Sequence, residues 1–209
     1  MIALRGTFAL VCASSLLVSG CAMGAGSVPQ GGRDVTGKPF RQAGVFVIAP
    51  ENTTATFEVS VVDLISVKGE FRKVAGMLVL ADDGRPASAE VTIDSASADA
   101  GMQEINEMLR GPKFFNADKF PTVAYRSLRL RTEKDSLGLE GQLTVLGVTR
   151  EVMLKVDRFD CRQNAGRAFC TADASTSIKR SDFGMTSWSD TVADEIRIEV
   201  KFTAQQKLE

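Results

Sequence analysis

The chain has 209 residues, and its 25 lysines and arginines against 26 aspartates and glutamates give a formal net charge of -1. A chain so close to neutral, with its basic residues dispersed, lacks the electrostatic footprint of a nucleic-acid-binding protein. It contains no histidine, which excludes Ser-His-Asp and Cys-His nucleophile systems and histidine-ligated zinc or haem. No motif supports a carboxylate pair or a Ser-Lys dyad, so we predict a protein that is not an enzyme and that carries no cofactor and no metal.

Residues 1–20 have the layout of a secretory signal peptide, in which one early arginine precedes an uncharged apolar run over 7–18. The run is too short to cross a membrane, which takes about 20 apolar residues. It ends in Val-Ser-Gly followed by Cys21, a sequence that resembles the lipobox of bacterial lipoproteins. We therefore predict that the signal is removed and that Cys21 is acylated; a plain signal peptide with a cysteine nearby is the alternative. In such lipoproteins a non-acidic residue after the cysteine, here Ala22, favours the outer membrane, with the protein facing the periplasm.

The sequence after the cysteine divides into two parts of different composition. Residues 21–44 are rich in Gly, Ser and Pro and poor in apolar residues, which is typical of a flexible tether. Residues 45–209 have the length of a single domain. We therefore predict a lipidated tether over 21–44 and a single folded domain over 45–209.

The domain is predicted to be all-β because apolar and polar residues alternate along it in separate runs. In the first run, Phe57, Val59 and Val61 alternate with Glu58 and Ser60. Strands of this kind bury one face against a common interior, and eight of them connected as a meander close into an antiparallel barrel without exposed edges. The predicted strands are 54–63, 70–80, 87–95, 122–132, 137–146, 149–159, 168–179 and 194–204.

Between the third and fourth strands, the residues near 101–110 break this alternation. Met102, Ile105 and Leu109 follow one another at spacings of three and four, which predicts one short amphipathic helix, ended by the Gly-Pro at 111–112. Its apolar stripe is expected to cap the barrel, either as an ordinary lid or as a gate for a ligand.

Two cysteines remain in the predicted domain. Cys161 and Cys170 flank a segment whose Asn-Ala-Gly at 164–166 is typical of a hairpin turn. Because an exported compartment is oxidising, we expect a disulfide across this hairpin. A redox-active or metal-binding pair is the weaker alternative, since the spacing is not Cys-x-x-Cys.

Several segments of the domain match the motifs of a known family. They are Phe57-x-Val59, Val67-x-Gly69-x-Phe71, Leu109-Arg110 through Phe114-Phe115 to Phe120-Pro121, Gly141-x-Leu143-Thr144-x-x-Gly147-Val148-Thr149-Arg150, and Arg180-Ser181-Asp182-Phe183-Gly184. In these segments the chain resembles the YceI-like family of polyisoprenoid-binding, lipocalin-like periplasmic proteins, here in a lipoprotein form. The similarity extends over nearly the whole predicted domain.

The resemblance implies an eight-stranded antiparallel lipocalin-like barrel around an apolar tunnel that holds an isoprenoid chain, such as a polyprenyl or quinone-like lipid. From the matching motifs and the alternation we predict the residues of the tunnel wall, which are Phe57, Val59, Val61, Phe71, Leu143, Val145, Phe183 and Trp188. Arg110, Arg180 and Asp182 lie in matching motifs and are candidates for contacting a lipid head group. Alternatively, Arg180 and Asp182 form a structural ion pair at a strand end.

Two features of the sequence bear on whether the tunnel is open and what it takes. The strand near 168–178 has mostly small residues in one phase, which either leaves volume along that wall or is covered by large neighbours such as Phe71, Phe120 or Tyr125; the resemblance favours a cavity. Where many family members have a histidine on the first long strand, this chain has Val61, which favours a more apolar lipid.

The function expected from the sequence is to bind, and to carry or sequester, such a lipid at the periplasmic side of the envelope. The alternative is a ligand-free interaction module that docks a membrane protein such as a cytochrome. A hydrolase or isomerase that acts on a lipid through carboxylates is a weaker hypothesis, and the sequence leaves a homodimer open.

Overall fold

The structure is a computed structural model that describes residues 40–62, 65–133, 136–164 and 166–207. The predicted signal peptide, Cys21 and the predicted tether up to residue 39 lie outside the described residues. Among the described residues, the strands are β1 (Gly44–Ile48), β2 (Thr54–Val61), β3 (Ile65–Phe71), β4 (Val74–Leu80), β5 (Pro86–Asp94), β6 (Ala98–Asp99), β7 (Thr122–Glu133), β8 (Ser136–Val145), β9 (Val148–Asn164), β10 (Arg167–Lys179) and β11 (Val192–Gln206). One α-helix, α1 (Gln103–Arg110), and three 3-10 turns, Pro50–Asn52, Ser95–Ser97 and Arg180–Phe183, complete the described secondary structure. None of the described helices is long and apolar enough to cross a membrane.

The strands form a closed antiparallel barrel of eight strands, as the sequence predicts. Three of the eight are interrupted: β1 continues into β2, β3 into β4, and β5 into β6, with a 3-10 turn or a bend at each break. The pairing shows the continuity, since β1 pairs with β4 while β2 pairs with β3. The last strand, β11, pairs with β10 on one side and with both β1 and β2 on the other. This pairing closes the barrel.

Two features of the first strands differ from the sequence prediction. Phe40 lies in the range predicted as tether, yet it is only 3% exposed and packs in the core beside Phe46, so the folded part begins before residue 45. The second predicted strand begins at residue 70, whereas β3 begins at Ile65. A glycine inside an alternating run weakens a strand signal, and Gly69 stands there because the ring of Phe57 occupies the space that its Cβ would fill.

The predicted helix is confirmed as α1, and it ends where the following Gly-Pro cannot continue it. Its apolar stripe is only partly covered. Leu109 packs against the barrel core, Ile105 is half-buried, and Met102, just before the helix, is exposed. The carboxylate of Asp99 anchors the start of this segment by accepting hydrogen bonds from the Gly101 backbone N–H and the Asn106 side chain, and these bonds lower the pKa of that carboxyl.

The predicted disulfide is confirmed at one end of the barrel, which we call the lower end. Cys161 and Cys170 are direct register partners on β9 and β10, with Cα atoms 4.0 Å apart. Both are fully buried, in a core cluster that also contains Phe46, Leu80 and Ala204. The bond therefore lies inside the barrel rather than on its surface.

The opposite, upper end of the barrel is covered by two connecting segments. The first, residues 100–121, contains α1 and joins β6 to β7; the second, residues 180–191, joins β10 to β11. They meet where Phe114 contacts Trp188 edge to face, with ring centroids 5.9 Å apart. Anything that reaches the interior from this end must pass between or beneath these segments.

Candidate functional site

The barrel encloses an apolar cavity of about 150 Å³. Of the residues in its wall, four carry a side chain with a nitrogen or oxygen: Thr56, Tyr125, Thr176 and Arg180. The Tyr125 hydroxyl already donates to the Leu139 carbonyl oxygen at 2.8 Å, and burial raises the pKa of this phenol. A cavity of this size with an apolar lining stays free of water and accepts an apolar guest.

The cavity is blind at the lower end of the barrel. Leu78, Leu139 and Phe159 are both cavity wall and core, so they form its floor. Beyond this floor the core is filled by fully buried side chains, among them Phe46 and the disulfide, which do not reach the cavity. A guest therefore does not come in through the lower end.

The small side chains of β10 are what leave room for the cavity. Ala172, Ala174, Thr176 and Ile178 all lie in its wall, while Ala168 and Cys170, lower on the same face, lie in the filled core. The open wall predicted for this strand is therefore present along its upper part.

Toward the upper end the cavity wall contains an aromatic cluster made of Phe57, Phe71 and Phe115. The ring centroids are 5.5 Å apart for Phe57 and Phe71, 5.2 Å for Phe71 and Phe115, and 6.2 Å for Phe57 and Phe115. Phe115 belongs to the segment that contains α1, while the other two belong to the barrel wall. The cluster thus joins the covering segment to the barrel.

Five of the eight residues predicted for the tunnel wall lie in the cavity wall. They are Phe57, Val59, Phe71, Leu143 and Val145. Residues that the sequence reasoning missed include Phe114, Phe115 and Tyr125, together with aliphatic residues of β5, β9 and β11. A signal for Tyr125 was present in the sequence: Gly141 interrupts the apolar phase of β8, and the Tyr125 ring lies over it.

The structure places the other three predicted wall residues, Val61, Phe183 and Trp188, outside the cavity wall. Val61 is the last residue of β2 and does not line the cavity, although its register partner Val192 does. Phe183 is buried in the 3-10 turn that follows β10, where it fills core. Trp188 is 47% exposed, on the outer side of Phe114. Alternation predicts these three incorrectly because each lies at or beyond the end of a regular strand.

Arg180 has a structural role in this fold, and its guanidinium has little hydrogen-bonding capacity left for a lipid head group. It is 3% exposed, and its guanidinium donates to four backbone carbonyl oxygens at 2.7–3.0 Å. The four carbonyls belong to Met185, Ser187, Val192 and Ala193. The side chain therefore holds the segment over 180–191 in shape.

The other two head-group candidates are exposed. Among the ion pairs of the described residues, none joins Arg180 to Asp182, so the structural pair considered as the alternative is not formed. The segment is anchored instead through Asp194, which accepts hydrogen bonds from the hydroxyl and the backbone N–H of Ser181; these bonds lower the pKa of that carboxyl. Arg110 lies at the end of α1, facing solvent.

Comparison with known proteins assigns the family. Residues 46–204 match the family model of the YceI-like domain. The chain belongs to the YceI-like family. The proteins named YceI from Salmonella arizonae and Salmonella newport are each 28% identical to this YceI-like chain over 142 residues, which is 66% of the chain and 74% of either relative.

Solved structures of other bacterial proteins share the fold of this YceI-like chain. BcnA of Burkholderia cenocepacia matches with a TM-score of 0.65 and 24% identity, over 75% of this chain and 98% of BcnA. A YceI protein of Campylobacter jejuni matches with a TM-score of 0.63 and 22% identity, over 69% of this chain and 88% of its own. A polyisoprenoid binding domain of Saccharophagus degradans matches with a TM-score of 0.57 and 13% identity, over 79% of this chain and all of that domain.

Proposed function

We propose that this protein binds an apolar, chain-like lipid of the isoprenoid class in the barrel cavity, and that it carries or sequesters this lipid. The observation on which the proposal depends is the blind cavity, whose wall offers almost no polar group that is not already hydrogen-bonded. The polyisoprenoid binding domain of Saccharophagus degradans has the same fold. A filled barrel would have favoured the ligand-free alternative instead.

The size of the cavity indicates what must move for a long chain to bind. A cavity of about 150 Å³ holds a guest the size of a benzene ring, so a longer chain requires the aromatic cluster to rearrange. Phe115 is suited to this, because its segment makes many hydrogen bonds within itself, including Phe115 N–H to Leu109 O and Ala117 N–H to Arg110 O, both at 2.9 Å. The segment can shift as a unit without breaking them.

The wall chemistry favours a lipid whose buried part is uncharged. Burying an unpaired charge or polar group is costly, and the donors of Tyr125 and Arg180 are largely taken by carbonyl oxygens. A quinone-like or other neutral isoprenoid is thus a better guest than one whose charged head must be buried. A charged head group would have to remain outside the upper end.

The energetics fit a carrier. Burying an isoprenoid chain gains about 0.8 kcal/mol per CH₂ relative to water, but the same chain is already dry in a bilayer. Cavity and membrane therefore compete on nearly equal terms, which allows both loading and release.

The location we propose is the periplasmic side of the envelope, with acylated Cys21 as the anchor, most consistently in the outer membrane. The signal-like N-terminus supports this, as does the disulfide, because such bonds persist in oxidising compartments. Mass spectrometry of the protein released from membranes tests it. We expect an N-terminal peptide that starts at an acylated Cys21, and an unmodified Cys21 would reject the anchor.

Solvent extraction and mass spectrometry test the binding function. The protein from residue 22 onward contains every described strand and the whole core; we expect it to co-purify with an isoprenoid lipid in near-stoichiometric amount. Ala174→Leu adds volume to the cavity wall and should lower the bound lipid several-fold, whereas Ser177→Leu, on the outer face of the same strand, should not. An empty extract from the unaltered protein would instead favour an interaction module that docks a membrane protein such as a cytochrome.

A further inference from the structure

Exposed apolar side chains lie together at the upper end of the barrel. Val62 and Ile65, beside the turn of the β2–β3 hairpin, are 50% and 60% exposed. The Val62 N–H donates to Thr191 O at 2.7 Å, which ties the hairpin to the segment that carries Trp188. We call the surface made of Val62, Ile65, Lys113, Phe114 and Trp188 the upper rim.

Trp188 is held in the upper rim by its backbone. Its φ of 59° is left-handed, which is unusual and costly for a bulky residue. Its carbonyl oxygen accepts the N–H groups of Thr191 and Val192 in a tight turn, and its ring packs against Phe114 on the opposite segment. The fold thus keeps a large aromatic side chain half in solvent, where a glycine would be conformationally easier.

The upper rim also combines aromatic and cationic groups. The Lys113 ammonium lies 6.0 Å from the centroid of the Trp188 ring, and the Lys119 ammonium 5.2 Å from that of Phe120. Tryptophan and lysine are the side chains enriched where proteins meet the boundary between lipid and water. Phe114 contacts Trp188 and is also part of the cavity wall, so the upper rim adjoins the end from which the cavity is reached.

We propose that the upper rim docks on the surface of a lipid bilayer, with Trp188, Val62 and Ile65 in the interfacial layer. The inference rests on the proposed function, because an isoprenoid chain resides in a bilayer and the blind floor leaves the upper end as its route to the cavity. Docking there lets the chain pass from membrane to cavity without crossing water. Lys113 of the upper rim, together with Lys119 of the same covering segment, faces the phosphate groups of the lipids.

Trp188 is the single tryptophan of the chain, so intrinsic fluorescence reports on the upper rim alone. The protein from residue 22 onward, which lacks the predicted acylation site, is mixed with phosphatidylcholine vesicles, with or without phosphatidylglycerol. We expect a blue shift of the emission, and quenching by lipids brominated near the head of the acyl chain. Binding should be tighter with phosphatidylglycerol and should weaken as salt is added.

A pair of variants locates the docking surface while Trp188 is kept as the reporter. Ile65→Asp places a charge in the upper rim and should lower vesicle affinity at least about tenfold, since it removes one large apolar contact. Val47→Asp is the matched control, because Val47 is 42% exposed on the outer face of β1, toward the lower end, and it should leave vesicle affinity unchanged.

The outcomes separate docking from lipid binding. An unaltered protein that co-purifies with lipid but shows no change in Trp188 emission with vesicles overturns the docking proposal and leaves the proposed function standing. Equal losses in the two variants also overturn it. Self-association in sedimentation that Ile65→Asp abolishes, without vesicle binding, would assign the upper rim to a second copy of the chain. Vesicle binding by a protein that holds no lipid would contradict the proposed function and leave the docking proposal standing.

Discussion

At the residue scale, Arg180 shows how a motif residue can have a structural role. We predict that Arg180→Met lowers the free energy of unfolding by about 3 kcal/mol, because several carbonyl oxygens at the upper end lose their donor at once. Urea denaturation followed by circular dichroism measures this. Arg110→Met, on the exposed end of α1, should change stability by less than about 0.5 kcal/mol. If Arg180→Met were as stable as the unaltered protein and failed only to retain lipid, the head-group role would be restored.

Two glycines of β8 make a second, sharper comparison between single residues. A Cβ on Gly141 would lie 2.6 Å from the Arg126 carbonyl oxygen and 2.5 Å from the Tyr125 hydroxyl, whereas a Cβ on Gly138 would meet the flexible end of Met153. We predict that Gly141→Ala lowers the free energy of unfolding by about 2 kcal/mol or more, since the Arg126 backbone cannot move aside as a flexible side chain can. Gly138→Ala should be neutral or stabilise by up to about 0.5 kcal/mol. Thermal denaturation of the two variants decides, and equal stabilities would contradict the packing of Tyr125.

At the element scale, the β9–β10 hairpin is fixed by its buried disulfide. Replacing Cys161 and Cys170 with alanine should lower the free energy of unfolding by roughly 2.5 kcal/mol. The loss is limited because the cross-link closes only a short loop and therefore removes little conformational entropy from the unfolded chain. Urea denaturation of the double variant measures the loss. Because both sulfur atoms are buried, we also expect reductant to attack the unaltered protein only as fast as the hairpin opens. Rapid reduction of the folded protein would show that the lower end is more open than its packing indicates.

The strands of the barrel differ in how well the sequence predicts them. Alternation predicts β7 to β11 because their inward faces are continuous and apolar. It predicts the first strands less well, since the breaks at Pro50–Asn52 and Ser95–Ser97 divide single barrel strands into pieces. The Gly- and Pro-rich approach to β1 conceals Phe40, whose burial depends on contacts with residues distant in the chain. Alternation also cannot show how deep an inward residue lies, which is why Cys170 and Ala174 share a phase but differ in whether they reach the cavity.

At the scale of the whole molecule, the barrel has one end filled with core side chains and one end covered by two connecting segments. The filled end contains the disulfide and the buried Phe46, while the other end is covered by the two segments that meet at Phe114 and Trp188. Alternation does not distinguish the two ends, because a residue of the filled core such as Phe46 and a residue of the cavity wall such as Leu143 are both simply inward-facing and apolar in the sequence. The division follows only from the closed register of the strands.

This division predicts that the floor of the cavity limits the length of the bound chain. Phe159→Ala removes a ring that is both floor and core, so it should deepen the cavity and shift the co-purified lipids toward longer chains, as measured by mass spectrometry. Phe40→Ala is the matched control: it removes the same ring from the lower core, where no cavity is reached. Both variants should lose about 3–5 kcal/mol of stability, so a shift in chain length that appears only in Phe159→Ala cannot come from destabilisation. Identical lipid profiles in the two variants would mean that chain length is limited at the upper end, by the aromatic cluster and its covering segment.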